Sequence, residues 1–301
     1  GLTMEGAENN PMMFELMCEL PWRPEKFTKE EWLKDYLFAR YGVRDEKIEK
    51  AWTLLANTIY NCPFGNNQQG PHESIFCGRP SLNNFQASSW SKMKNYYDPT
   101  VTEEAARLMV EVADKYRGNN NFEYDLVDIV RQAITERGRL LYKAVMAAYT
   151  SGDKPLFEMA SRHFLQLILL QDELLGTRRE FMVGNWIDQA RNLGKTPEEK
   201  ALYEWNARVQ ITTWGNRQAA DEGGLRDYAH KEWNGILKDF YYMRWKAYFD
   251  NLIQKMNGKN PEEIDFYTLE EPWTKETNLY PFKPENDCIP TIKHIFKEIF
   301  E

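Results

Sequence analysis

The chain has 301 residues, enough for one large domain or two small ones with a core of its own. Hydrophobic residues make up 42% and charged residues 28%, the balance of a folded globular protein rather than a disordered one. Lys and Arg total 38 against 46 Asp and Glu, a net charge of -8 with no long basic stretch, which argues against nucleic acid or another polyanion as partner. The longest apolar run, residues 165–170, is too short to span a membrane.

Helix signals dominate the chain. Pro11 suits the first turn of a helix that follows Asn9-Asn10 and carries Phe14, Leu16, Met17 and Leu20. Thr28 with Glu31 three residues on forms a capping box, and the helix it opens carries Trp32, Tyr36, Leu37 and Phe38 and stops at Gly42. A third helix is expected from Asp45 to about Tyr60, with Trp52, Leu55 and Ile59 on one face. Residues 61–100 read differently. They are rich in Gly, Asn, Pro and Ser, and a loop of that length within a domain is often functional.

From Thr102 onward helix follows helix. One ends near Gly118, and a long one covers about Phe122 to Tyr149. Asp153-Lys154-Pro155 opens the next, which ends near Gly176. Phe181 to Leu193 and Thr196 to about Trp214 follow, then a polar break at Gly215 to Gly224, a long amphipathic helix from Asp227 to about Met256, and a last one from Ile289 to Phe300. The one period-2 candidate, Val209 to Thr213, sits within a helical segment. The expected class is therefore all-α: an irregular multi-helix domain of long packed helices with one long loop and no regular repeat.

Few residues are candidates for chemistry. Glu5 stands on a Gly-flanked turn just before a helix, as Thr3-Met4-Glu5-Gly6. It reads either as a catalytic carboxylate at the mouth of a barrel or as a charge that favours the positive end of the helix after it. Glu8 is nearer the helix start and reads as structural. Trp214 ends the segment from Trp205 to Gly215, where an indole either offers its face to a sugar or packs inward. Arg208 in the same segment is either a pocket residue or half of an ion pair. Asp227 and His230, three apart, make at most half of a metal site. None of Cys18, Cys62, Cys77 and Cys288 forms a C-x-x-C pair, which disfavours structural zinc. Cys18 is expected to be buried, while Cys62 and Cys77 bracket a loop and either pair or stay thiols. No phosphate-loop, dinucleotide, G-x-S-x-G or H-E-x-x-H fingerprint occurs.

Several separated motifs together resemble the family 89 glycoside hydrolases, the α-N-acetylglucosaminidases. They are the opening Gly-Leu-Thr-Met-Glu-Gly-Ala-Glu-Asn-Asn, Glu19 to Arg23, Ala39 to Val43, Ile59 to Cys62, Arg79-Pro80-Ser81-Leu82, Tyr124 to Asp128, Gly184-Asn185-Trp186, Arg208 to Gly215, Asp227-Tyr228-Ala229 and Arg244-Trp245, in family order over nearly the whole chain. The resemblance implies a longer protein with a small α/β domain, a catalytic barrel and an all-α C-terminal domain. Residues 1–24 would then be the end of the barrel leading into the first helix, and 25–301 the helical domain. It implies Glu5 as the nucleophile of a retaining hydrolase, with the general acid/base upstream. The substrate would be a glycan ending in α-linked N-acetylglucosamine, with no metal or organic cofactor. It further implies that Arg208, Trp214 and Tyr228, with Arg79 from the long loop, line the sugar pocket. The alternatives are a non-catalytic helical module that binds a glycan or a protein partner, and a structural domain whose aromatic patch docks on the barrel.

Overall fold

The computed structural model describes residues 11–23, 25–62, 73–83, 87–88 and 95–301. Glu5 and Glu8 lie outside the described residues. Among these residues the chain is helical without a strand; a lone parallel bridge joins Met182 and Asn234. The chain divides into two compact units, residues 1–66 with 96–126, and residues 67–95 with 127–301.

The first unit holds α1 (Pro11–Glu19), α2 (Lys29–Tyr41), α3 (Glu46–Asn57) and α4 (Thr100–Val112), with the first turns of α5 (Asn120–Ser151). Its helix ends are set by local chemistry. The Thr28 hydroxyl accepts the Glu31 N–H at 3.2 Å while the Glu31 carboxylate accepts the Thr28 N–H at 3.0 Å. Gly42 closes α2 at φ 75°, a conformation costly for any residue with a Cβ. The buried face of α2 carries Trp32, Tyr36, Leu37 and Tyr41, which meet Ile48, Ala51, Trp52 and Leu55 of α3. Tyr36 and Trp52 cross edge to face at 5.9 Å. Beneath them Trp52 Nε1 donates to Tyr41 Oη at 3.0 Å, and Tyr41 Oη donates to Asp125 at 2.7 Å. Arg40 Nη2 donates to the same carboxylate at 2.7 Å. Cys18 is exposed, contrary to the expectation, because α1 turns Met12 inward and Cys18, six positions on, falls on another side of the helix.

The second unit is built on the remainder of α5 with α6 (Lys154–Leu175), α7 (Val183–Leu193), α8 (Pro197–Gln210), α9 (Tyr242–Met256), α10 (Phe266–Lys275) and α11 (Cys288–Phe300). Its core is aromatic. Trp245 lies 4.5 Å from Phe164 and 5.1 Å from Tyr142, and Phe76 meets Phe164 edge to face at 5.4 Å, which accounts for several of the chain's aromatics as packing. Trp245 Nε1 donates to the Phe76 carbonyl at 3.0 Å, so the buried indole is satisfied by the long loop itself. Cys77 beside it is a buried thiol, pushed up by burial and by the nearby Glu232 and Asp227 charges; the disulfide with Cys62 is not formed.

Several helix boundaries differ from expectation; the helix expected to run from Thr196 to about Trp214, for one, ends at Gln210. The helix expected from Asp227 starts only at Tyr242, after a π-turn at Leu237–Tyr241; residues 227–235 are turn and irregular backbone, with Asp227 left-handed. The helix α10 was not among those expected, and it carries Pro272 in its interior. It forms because Asp265 caps it, accepting the Thr268 N–H at 3.2 Å, and because Tyr267, Glu270, Trp273 and Thr274 are buried on one side.

Candidate functional site

The long loop is held in place before it contributes anything. The buried Glu73 carboxylate closes it, accepting the Ala87 N–H at 2.7 Å and the Ser88 N–H at 3.1 Å, with the Ser88 hydroxyl as a further donor. Helix α5 holds it from the other side: Arg139 donates to the Glu73 carbonyl and Tyr142 to the Ser81 carbonyl. Arg79 therefore leaves a fixed backbone.

Arg79 begins a chain of alternating charges in the second unit. Its Nη1 donates to Asp221 at 2.5 Å, and its Nε and Nη2 grip Glu270 at 2.8 and 2.7 Å. The same Glu270 lies 2.7 Å from Arg244 Nε, at an angle too bent for a hydrogen bond. Arg244 in turn donates from Nη1 and Nη2 to the two oxygens of Asp227 at 3.1 and 2.9 Å, and from Nη1 to the Cys77 carbonyl at 3.0 Å. Arg244, Asp227 and Glu270 are fully buried. Burial alone would pull the Arg244 pKa down, but the Asp227 and Glu270 charges outweigh it and hold the guanidinium firmly protonated. The guanidinium lies over Phe240 at 4.3 Å, which completes its packing.

This interior sets an exposed edge. Among the described residues the non-glycine positions with positive φ are Trp214 at 62° and Asp227 at 56°. Such backbone costs on the order of 1–3 kcal/mol at each position and collects at functional sites. Both are pinned: the Trp214 N–H donates to the Val209 carbonyl at 2.8 Å, and the Asp227 N–H to the Thr212 carbonyl at 2.8 Å. The result is a pair of rings, Trp214 and Tyr228, crossed edge to face at 4.8 Å, with Trp214 half-buried and Tyr228 48% exposed. An aromatic edge of this kind offers a flat apolar surface together with a phenolic hydroxyl.

The Arg226 side chain makes no hydrogen bond or ion pair to any described residue, and its Nε is buried without an acceptor. Burial and the neighbouring Arg79 charge both lower its pKa from the ordinary arginine value.

The expected site residues thus separate. Trp214 and Tyr228 meet, and Arg79 is tied to Asp221 of the π-turn between them in sequence. Arg208 is fully buried elsewhere in the unit. Its Nη2 donates to Glu204 at 3.1 Å and to the Asn278 carbonyl at 2.9 Å, and its guanidinium lies 4.9 Å from the Trp273 ring and 5.4 Å from the Tyr280 ring. Asp227 is committed to Arg244, and His230 Nδ1 lies 2.9 Å from the Asp227 carbonyl oxygen, so the two do not present a pair of metal ligands. Among the described residues no three His, Cys, Asp or Glu side chains are placed to hold a metal ion. Asp221, Asp227, Arg244 and Glu270 were not singled out from sequence as a group. Asp227 and Arg244 lie in the family-like motifs, but nothing local marks Glu270, which is 191 residues from Arg79.

Comparison with known proteins gives this arrangement its class. The profile of the alpha-N-acetylglucosaminidase (NAGLU) C-terminal domain matches residues 32–298. The chain is 30% identical over 307 aligned residues to the alpha-N-acetylglucosaminidase of Homo sapiens, covering all of this chain and 40% of that protein. A family 89 glycoside hydrolase from Clostridium perfringens, solved in complex with 2-acetamido-1,2-dideoxynojirmycin, superposes with a TM-score of 0.92 at 33% identity, covering 97% of this chain and 34% of that one. A second structure of a Clostridium perfringens enzyme, with two glutamates changed to glutamine and in complex with its substrate GlcNAc-alpha-1,4-galactose, superposes at 0.91 and 34% identity, covering 96% and 33%. The fold is thus that of an all-α domain of glycoside hydrolases. The chain belongs to the α-N-acetylglucosaminidase C-terminal domain family, and it spans well under half the length of these relatives.

Proposed function

We propose that this chain is the C-terminal part of a retaining α-N-acetylglucosaminidase and supplies both its nucleophile and one wall of its sugar pocket. The observation that carries the reading is the exposed Trp214–Tyr228 edge, held in strained backbone over a buried ion-pair chain, in a chain of this family. Residues 1–24 form the end of the barrel and 25–301 the helical domain. The Glu5 carboxylate attacks the anomeric carbon, while an acid from the upstream barrel protonates the leaving oxygen. Water then releases the sugar from the glycosyl-enzyme with the acid now acting as base, the two carboxyl groups standing roughly 5–5.5 Å apart. Trp214 and Tyr228 face the sugar; Arg79 fixes the loop beside them, and Arg208 supports the wall from inside. The ligand is a glycan ending in α-linked N-acetylglucosamine, the class named for the Clostridium perfringens complex.

The test is hydrolysis of an aryl α-N-acetylglucosaminide by this chain alone and with the upstream barrel restored. Turnover is expected only in the restored protein, and Glu5→Gln is expected to abolish it, since a general acid without a nucleophile forms no glycosyl-enzyme. Turnover by this chain alone, or full activity in Glu5→Gln, would overturn the assignment. A second reading, a glycan-binding module without catalysis, is favoured by the same exposed aromatic edge. It expects saturable sugar binding that survives loss of Glu5 but not Trp214→Ala.

A further inference from the structure

We propose that Arg226 is a ligand-binding residue of this surface, and that its guanidinium donates hydrogen bonds to neutral oxygen acceptors of the bound glycan, a hydroxyl or an amide carbonyl. The proposal rests on the pocket-wall reading above and adds to it both a residue and the kind of group that residue takes.

Three observations carry it. The first is that the Arg226 side chain has no hydrogen-bond or ion-pair partner among the described residues. A guanidinium offers five N–H donors in a fixed fork and is normally paired wherever it is drawn out of water. Here Nε is buried without an acceptor, while Nη1 and Nη2 make no hydrogen bond to a described residue and, on a half-buried residue, are not closed off. The Nη groups, unlike the enclosed Nε, are the donors that a ligand acceptor can reach.

The second observation is position. The Arg226 N–H donates to the Ala220 carbonyl at 3.3 Å, which ties this residue to the π-turn that bears Asp221. The next residue is the left-handed, fully buried Asp227, and the one after it is the exposed Tyr228 that meets Trp214. The residue just before the anchor thus carries the unpaired cation, and the residue just after it carries the exposed ring.

The third is charge, and it decides what the ligand group is. The described carboxylates around Arg226 are already taken: Asp227 by Arg244, Glu270 by Arg79 and Arg244, Asp221 by Arg79. With Arg226 included, the cluster is Arg79, Arg217, Arg226 and Arg244 against Asp221, Asp227, Asp265 and Glu270, and so balanced. An anion brought to Arg226 would leave this poorly solvated cluster with a net negative charge, next to carboxylates that repel it. A neutral acceptor satisfies the free donors without disturbing that balance. The guanidinium is therefore short of acceptors and not of counter-charge.

The experiment uses the protein with its upstream barrel and two probes, phenyl α-N-acetylglucosaminide and its para-carboxyphenyl counterpart. Arg226→Gln is expected to raise KM on the order of tenfold for both probes with kcat within about twofold, the pattern of a lost contact made equally in ground and transition states. The rise is expected to be the same at low and high salt, and Arg226→Lys to recover part of it. Unchanged KM in Arg226→Gln while Trp214→Ala raises it would overturn this inference and leave the pocket wall standing. Unchanged KM in both variants would overturn the two together. A carboxylate probe preferred by the wild type, with the preference lost in Arg226→Gln and screened by salt, would replace the neutral acceptor with an anion.

Discussion

The Asp227–Arg244 pair holds the candidate site because neither partner can be removed alone. Two fully buried charges stabilise each other only while both are present, and loss of one typically costs 3–5 kcal/mol because the other is left without compensation. Asp227→Ala also places a Cβ residue without local hydrogen-bonding capacity at φ 56°. The expected outcome is a loss of about 3–5 kcal/mol in urea unfolding followed by circular dichroism. Asp227→Ala combined with Arg244→Met is expected to lose less than the sum of the two single changes, since the double variant leaves no stranded cation. Additive losses, or an unchanged midpoint in Asp227→Ala, would show that the pair does not hold the turn. At this scale the sequence was legible where a signal is local. Trp214 and Tyr228 stood out as aromatics at element ends, and they meet in space. Glu270 did not, because its role comes entirely from two arginines distant in the chain, one of them 191 residues away. Arg226 was passed over for a related reason, since what marks it is the absence of a partner, which only coordinates reveal.

Helices with self-contained caps were equally legible. Thr28 and Thr196 each form the capping box their sequence announces, because all the groups involved lie within three residues. The stretch from Asp227 to Ile236 misled because its apolar spacing continues that of α9, while a left-handed Asp227 breaks the helix for tertiary reasons. Helix α10 was not expected; it carries Pro272 in its interior, a cost offset by burial of Trp273 and by the Glu270 ion pairs. One helix position shows the opposite dependence, of sequence choice on packing. Gly138 lies inside α5, where alanine is intrinsically the better helix former by about 1 kcal/mol. A Cβ there would come within 2.6 Å of Phe76 Cζ, and Phe76 is fully buried with its carbonyl bonded to Trp245. The ring cannot swing away without opening the aromatic core. Gly138→Ala is therefore expected to destabilise by about 1–2 kcal/mol net, overpacking exceeding the gain in helix propensity. A rise in melting temperature would mean that the loop bearing Phe76 and Arg79 gives way easily.

At the scale of the whole molecule two carboxylates, Asp45 in one unit and Asp172 in the other, respond to acid in opposite directions, which makes their units separable by experiment. In the first unit Asp45 caps α3 and accepts from Lys115 Nζ and Tyr116 Oη, both at 2.8 Å. Burial opposes its charge, but these bonds and the N–H groups of Lys47 and Ile48 bring its pKa from 3.8 to about 2. A carboxylate lowered in this way supports its unit above the unfolded value near 3.8, and the support is lost as pH falls toward 2. In the second unit burial pushes Asp172 from 3.8 up to about 6, against the N–H groups of Gly235 and Lys238 that favour its charge. Between those values the folded state keeps a proton that the unfolded chain has given up. The second unit is therefore most stable below about pH 4 with respect to this group and loses support as pH rises through 6. The shift corresponds to about 3 kcal/mol. Amide hydrogen exchange resolved by residue, measured from pH 7 down to pH 4.5 and corrected for the intrinsic rate, is expected to show α6 and α9 gaining protection while α3 and α4 stay level. Asp172→Asn is expected to flatten the change in α6 and α9 and to leave α3 and α4 untouched. Equal gains in both units, or a gain that survives Asp172→Asn, would remove Asp172 as the cause. The separation also bears on the pocket wall, because Arg79, Trp214, Arg226 and Tyr228 all belong to the second unit. Mild acid should then firm the scaffold of that wall, and any acid loss of sugar binding in the same range would have to come from the titration of groups that touch the sugar.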